Sequence, residues 1–576
     1  MEASVADTFW IIICSLFVFL MQPGFTALET GFTRSKNAIN VAMKNLCDFL
    51  LSSLIFWVIG FGLMFGATYQ GFWGTSNFFN NWQNENLDQV AFFIFQTAFC
   101  ATAATLTSGA IAERMRFKSF LYMIILLAAV VYPVFGHWAW NVSGWLNTQG
   151  FYDFAGSTVV HSLAGWVALA AVILVGPRIG RFNENGSPRH IPGSNISVSA
   201  LGFLLIWVGW LGFNGGSVGK FSPDVGLIII NTIIGGAAGG ATIIAYFHGY
   251  KRQIITPDLL INGALAGLVA VTASANVISP FSACLIGAMA AIAMLGCHWL
   301  LLKKQIDDAI GVIPVHLAGG ILGTLCVPFF ADPELASGIP SLNVSIFEQV
   351  IVQFMGIVVC GLWAFGITYS VLYLINRVSP LRVDIRGEIK GLNVVEHGAT
   401  TEILDFLNSL DEIEKSTDLS VRVPVEPFTE IGQIAEKYNV VMSRLQNTSA
   451  KTDSIIRSLP VSIITFTRDT LKITSLNPTA INLFGYPEDS LVGRTITSLF
   501  DIPHQSQNLT IEQLLIEGKS KSGLELVVRC ADSVQRVVRV SVSETGTSEG
   551  VFYSAVVIDI TEQEKEDRDK YYKISS

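Results

Sequence analysis

Two histidines stand where a titrating ring could do chemistry. Of the eight His in the 576 residues, His161 and His316 fall near the middle of long apolar runs. Each follows an aspartate by eight residues, Asp153 in one case and Asp308 in the other. Eight helical residues rise about 12 Å, which from either surface reaches close to the midplane of ~30 Å of hydrocarbon. The flanking words also match: Val160-His161-Ser162-Leu163-Ala164-Gly165 against Val315-His316-Leu317-Ala318-Gly319. An imidazole donates at one nitrogen, accepts at the other and titrates near neutrality, so two in contact form a short proton relay. One lone His reads best as core polar glue. Two related by a repeat reverse that reading, because ionisable groups at membrane depth mark functional paths.

The elements that must position them are membrane helices. The chain is 51% hydrophobic and 14% charged, with mean hydropathy +0.51. Charges are scarce up to about Arg377, and from Leu381 onward the composition is that of a soluble domain. Eleven apolar stretches are long enough, or nearly so, to cross a bilayer. They cover 8–32, 45–68, 90–112, 119–140, 157–176, 197–215, 226–249, 257–275, 279–302, 309–330 and 346–376. Lys and Arg concentrate in the odd-numbered loops, among them Arg34, Lys36, Arg114, Arg116, Arg178, Arg181, Lys251 and Lys303. The even-numbered loops hold only Lys220. The bias predicts the odd loops in the cytoplasm, the N-terminus outside and the tail beyond Arg377 inside. Spans five and ten then run in opposite directions, so spans 1–5 and 6–10 read as an inverted-topology repeat with the histidines at its interface. Gly235-Gly236-Ala237-Ala238-Gly239-Gly240 and Gly319-Gly320 permit close helix approach.

At this point the residues resemble the Amt/Mep/Rh ammonium transporter family. The resemblance rests on Asp153-Phe-Ala-Gly-Ser-Thr-Val-Val-His161, Ala112-Glu113-Arg114-Met115-Arg116-Phe117, Gly212-Phe213-Asn214-Gly215-Gly216-Ser217, Asn262-Gly-Ala-Leu-Ala-Gly-Leu-Val-Ala270 and Asp307-Asp308 through His316. It continues through Leu381-Arg382-Val383, Gly391-Leu392 and Glu396-His397-Gly398. The resemblance implies a homotrimer with one pore per subunit in the plasma membrane. It also implies ammonium recruited outside by Trp140 and Ser217, a gate of stacked Phe99 and Phe213, and a lumen lined by His161 and His316. Phe99 and Asp153 support the cation site, and Asp308 supports the tenth helix. Trp140 stands one residue further from Asp153 than the family pattern has it, which leaves Trp138 and Trp145 as alternatives. Gly311 stands where the family carries an acidic residue, and Pro314 shortly precedes His316.

The tail divides further. Ile403, Phe406, Leu407, Leu410 and Ile413, then Ile431, Ile434, Tyr438, Val441, Met442 and Leu445, recur at helical spacing. With the turn Phe428-Thr429-Glu430-Ile431-Gly432 opening the second run, they resemble a HAMP signal-relay module. Ile463-Ile464-Thr465-Phe466, Asn477, Leu483-Phe484-Gly485-Tyr486, Leu491-Val492-Gly493 and the closing Val557-Ile558-Asp559-Ile560-Thr561-Glu562 resemble a PAS domain. The expected organisation is therefore 1–378 transporter, 379–400 its C-terminal segment, 401–450 HAMP-like linker, 451–562 PAS-like domain and 563–576 the start of a further linker. The fold class is membrane all-α with a 5+5 repeat, followed by an α+β module.

No cofactor is expected. A haem role for His504 has little support, and the eight Cys form no CxxC pair. No nucleophile–base constellation argues for an enzyme, and no basic run argues for nucleic acid. The expected partners are ammonium or ammonia, membrane lipid, two further copies, and a downstream output domain or PII-like regulator. The rival readings are a receptor that binds ammonium without conducting it and a channel for neutral solutes.

Overall fold

The computed structural model describes residues 5–82, 87–400, 402–416, 418–427, 429–501, 523–547 and 550–575. The chain forms two compact units, Met1–Thr401 and Glu402–Ser576. His504 and Phe428 lie outside the described residues.

Apolar sequence becomes helix in the first unit because, in hydrocarbon, a backbone can satisfy its N–H and C=O groups only internally. Ten described helices are long and apolar enough to span: Val5–Phe32, Ser35–Phe65, Leu87–Ala110, Phe117–Thr148, Ser157–Val175, Ile196–Gly216, Asp224–Lys251, Pro280–Lys303, Ile313–Phe330 and Ile346–Val378. A shorter one, Pro257–Val271, takes the eighth place and completes the eleven apolar stretches of the sequence. At 15 residues it rises about 22 Å, less than the hydrocarbon thickness. Turns through Ile278 carry the chain on.

The repeat is visible in backbone detail. Asp153 and Asp308 each cap the helix that follows. Three residues after each lies a glycine in the left-handed region, Gly156 at φ +111° and Gly311 at φ +90°. Each helix then opens with a six-residue π-helical stretch, Ser157–Ser162 and Ile313–Ala318, which contains the histidine. The broken ends of spans three and eight serve the two halves alike. Ala110 O, closing span three, accepts from Ala309 N at 3.3 Å, and Thr272 O, just past span eight, accepts from Ala155 N at 3.1 Å.

Spans five and ten cross where both are smallest. A Cβ on Gly165 would lie 2.8 Å from Leu317 N, and one on Gly320 would lie 2.2 Å from Ser157 O. No side chain fits at either point. The glycines of span seven work similarly, with Gly239 facing Gly263 O and Gly235 facing Val271.

Segment 379–400 is tied to the basic loops. Arg116 N donates to Leu381 O at 2.9 Å and Val383 N to Arg114 O at 3.0 Å. Lys36 Nζ donates to Glu388 O and Ile389 O at 2.7 Å, and Leu392 N to Asn37 Oδ1 at 2.8 Å.

In the second unit, helices Glu402–Ser416 and Glu430–Ser458 share a small core of Ile413, Val423, Ala435 and Met442. The connector is held there by Asn439, whose Oδ1 accepts from Val423 N at 3.0 Å and whose Nδ2 donates to Val423 O at 2.8 Å. Beyond them lies a six-stranded antiparallel sheet. Its strands are β1 Ser462–Thr467, β2 Ile473–Leu476, β3 Phe500–Asp501, β4 Leu524–Arg529, β5 Gln535–Thr547 and β6 Gly550–Asp559, in spatial order 2-1-6-5-4-3. Its core is apolar, built around Ile464, Phe466, Phe484, Val538 and Ala555.

Candidate functional site: a pore on the repeat axis

At the end of the first unit opposite the basic loops lies a cavity of about 290 Å³. Trp140, Ser217, Phe99, Asp153, Tyr152 and Gln96 are among its walls. Trp140 holds its ring by donating from Nε1 to Asp153 O at 2.7 Å. Trp138 does not line this cavity. It donates to Phe72 O at 2.7 Å and packs on Trp145 and Trp363, with centroids at 5.9 and 5.0 Å. Trp140 is thus the one of the three indoles placed at the mouth.

Ser217 sits one residue past span six, and its hydroxyl donates to Phe213 O at 2.8 Å. That bond spends its proton and leaves its lone pairs for the cavity. The Asp153 carboxylate is occupied differently. Oδ1 accepts from Gly156 N and Ser157 N, and Oδ2 from Thr158 N and Val159 N, all within 2.8–3.0 Å. Its charge reaches the cavity as a field, and its oxygens are committed to the helix start.

Below the cavity Phe99 and Phe213 stack face to face, centroids 3.8 Å apart and planes within 5°. Both are fully buried. His161 follows, 5.6 Å from Phe213 and 5.2 Å from His316 between centroids, with the two imidazoles inclined by 26°. The imidazoles meet by their faces. Neither nitrogen of His161, nor Nδ1 of His316, has a hydrogen-bond partner among the described residues. Buried polar atoms are otherwise nearly always paired. Three imidazole nitrogens thus lie buried and without a partner among the described residues.

Asp308 mirrors Asp153 from the basic end, accepting from Gly311 N at 3.0 Å and Ile313 N at 2.6 Å. Beyond it, at the basic end, lies a second cavity of about 190 Å³, whose walls include Arg178, Arg181, Asp258, His298 and Asn262.

Sequence reasoning missed two features here. Trp210 stacks on His161 at 4.9 Å, its Nε1 donating to Thr272 Oγ1 at 2.8 Å. It lies one turn before Phe213 on the same helix, and that spacing was the available signal. The other is the reason for Gly311, which the sequence showed only as a departure from the family pattern. Its place three residues after Asp308 repeats that of Gly156 after Asp153, and its positive φ is what an acidic residue would resist.

The basic loops are themselves paired. Arg178 binds Asp307 through Nε at 2.8 Å and Nη2 at 3.0 Å and reaches Glu113 at 3.5 Å, while Arg34 closes on Glu113 from the other side. Burial would raise the Asp307 carboxyl, but the Arg178 charge and hydrogen bonds hold it well below the usual carboxylate range. Burial would raise Glu113 likewise, and Arg178 and Arg34 keep it below its ordinary value.

With this geometry in place the comparisons decide the family. The ammonium transporter family model matches residues 9–402. The chain belongs to the ammonium transporter family. A PAS domain model matches 460–562. A Synechocystis sp. protein named for ammonium transport is 46% identical over 76% of this chain and 82% of its own length. Ammonium transporter Amt2 of Archaeoglobus fulgidus is 39% identical over 68% of this chain and 87% of its own. A solved structure described as a Sensor Amt Protein is 42% identical with TM-score 0.65, covering 68% of this chain and 98% of that one. As a member of the family the chain is a multi-pass membrane protein, and residues 460–562 form a PAS domain.

Proposed function

We propose that this protein moves ammonium across the plasma membrane by stripping and relaying its proton. The N-terminus lies outside and the tail in the cytoplasm, in keeping with the loop charges. Three copies assemble, each with its own pore. The observation that carries the reading is the order along one line: an aromatic and hydroxyl cavity, a closed phenylalanine stack, then two imidazoles with unpaired nitrogens. Trp140 attracts the cation by its π-face, and the Ser217 oxygen accepts an N–H. The apolar lumen imposes a large desolvation penalty on any bare cation. Ammonium escapes that penalty because it is an acid. It gives its proton to the His161–His316 pair and continues as ammonia, which both imidazoles can hydrogen-bond. Potassium has no proton to give and is rejected.

The tail makes a second reading specific. In it, the protein is a non-conducting receptor that reports ammonium occupancy through the HAMP-like helices and the PAS domain. The name of the Sensor Amt structure and the shut Phe99–Phe213 stack favour it. In either reading, occupancy of the membrane domain biases the relay helices, and the output passes to a downstream domain or a PII-like regulator.

The deciding experiment is ammonium-evoked current in proteoliposomes, native protein against a His161→Ala/His316→Ala double variant. Native current that collapses in the variant supports relay through the pair. Absence of native current, with ammonium binding that still alters the tail, leaves the receptor.

A further inference from the structure

A buried polar column runs beside the pore, and the proposed transport path does not use it. It joins spans one, two and three through Gln22, Glu29, Asn45, Asp48, Thr105 and Ser108. Ser108 Oγ donates to Glu29 Oε2, as does Asn45 Nδ2 at 2.9 Å, and Thr105 Oγ1 donates to Asp48 Oδ1 at 2.6 Å. Polar side chains between membrane helices are often only adhesive. Two carboxyl groups at that depth exceed what adhesion needs, since each is costly to place there. Asn45 Oδ1, Asp48 Oδ2 and Gln22 Nε2 also lack hydrogen-bond partners among the described residues.

What separates Glu29 from the rest of the column is its access. Glu29 and His316 line one void of about 20 Å³, walled otherwise by Leu106, Val315, Asn262 and Gly311. A void needs roughly 10–15 Å³ to hold one water. His316 is 4% exposed, and its Nδ1 has no partner among the described residues. Asn262, Ile310 and Gly311 border both this void and the 190 Å³ cavity at the basic end. Glu29 therefore lines a void that touches His316 on one side and shares walls with that cavity on the other.

We infer that Glu29 is the proton acceptor on the inner side of the histidine pair, reached from His316 through a single water. The inference rests on the transport reading above. Ammonium leaves ammonia and one proton on the imidazole pair. The imidazolium N–H gives its proton to the water as that water gives one to the Glu29 carboxylate. The carboxylic acid then releases the proton to the inner cavity. Imidazole, water and carboxylate return to their starting forms, and one ammonia and one proton have crossed.

The test uses full-length protein in proteoliposomes driven by ammonium chloride. Glu29→Gln keeps the shape and the Asn45 contact region but cannot hold the proton. Its current is expected to fall at least about 100-fold, the scale of a lost acid–base group. Ammonium binding at the Trp140 cavity, read by indole fluorescence, is expected to stay native, and Glu29→Asp to restore part of the current. Native-level current in Glu29→Gln overturns the inference while leaving the transport reading intact. Absence of current in the native protein overturns both. Should Glu29→Gln fail to fold, infrared difference spectra of the native protein and Glu29→Asp decide. Turnover must add a protonated-carboxyl band that shifts in the Asp variant, and a missing or unshifted band overturns the assignment.

Discussion

Single residues in this protein are constrained as much by backbone as by chemistry. Asp153 offers no carboxylate oxygen to a cation in the geometry seen here, because four backbone N–H groups hold both. The resemblance to the family predicts an electrostatic and structural part for it, and the hydrogen bonds describe how the structural part is played. Gly311 gives the sharpest prediction at this scale. An alanine there meets both a left-handed φ and Asn262 Nδ2 at 2.3 Å, whereas at Gly180, with φ +79°, nothing lies within 4 Å. Gly180→Ala is expected to cost about 1–2 kcal/mol, the left-handed penalty alone. Gly311→Ala is expected to cost a further ~1–3 kcal/mol for the overlap. Thermal unfolding of both variants in detergent checks the difference, and equal losses would assign the whole effect to φ. The histidines were legible in the sequence because their spacing from an aspartate repeats. Glu29 was not, because the void it lines beside His316 is walled by other spans, and Trp210 offered only its spacing from Phe213, its partner His161 lying on another span.

Elements meet in this fold wherever side chains are missing or charges are matched. The crossing of spans five and ten depends on Gly165 and Gly320 and brings the two imidazoles within 5.2 Å. The loops beside it are joined by ion pairs that the sequence presented only as a topology signal. Arg178 and Asp307 lie 129 residues apart and are buried together. Asp307 and Glu113 have folded values below the ordinary carboxyl range, so their stabilisation is complete above about pH 4, near the unfolded values. It is lost as the pH falls through the folded values. The melting temperature is therefore expected to be insensitive to these two groups from neutrality to about pH 4 and to drop in stronger acid. Asp307→Asn leaves Arg178 buried without its main partner. It is expected to lose about 3–5 kcal/mol at neutral pH and to show a shallower acid decline. A melting profile against pH, native beside variant, checks both, and parallel profiles would place the acid sensitivity elsewhere.

The whole molecule is a transporter-family domain continued by a tail that holds a PAS domain. Segment 379–400 is bonded into the membrane unit, and the described chain resumes at Glu402 in helix Glu402–Ser416. The eleven apolar stretches and the α+β module were readable from composition and periodicity. The break after Val271 was not, because Thr272 to Ile278 carries no proline, glycine or charge to mark the end of the helix. If the tail only listens, a chain ending at Thr401 is expected to keep the native ammonium current and melting temperature. Loss of either would make the tail part of the conducting assembly, and one set of proteoliposome and unfolding measurements decides. The paired Asp–Gly–His triplets carry a last consequence. A conduit whose Asp–Gly–His triplets repeat from both faces carries no direction of flow in those triplets. Its net flow follows the gradient and reverses with it, so any rectification has to reside in the unlike ends. One is the indole and hydroxyl mouth at Trp140 and Ser217. The other is the ion-paired basin beside Arg178 and Asn262.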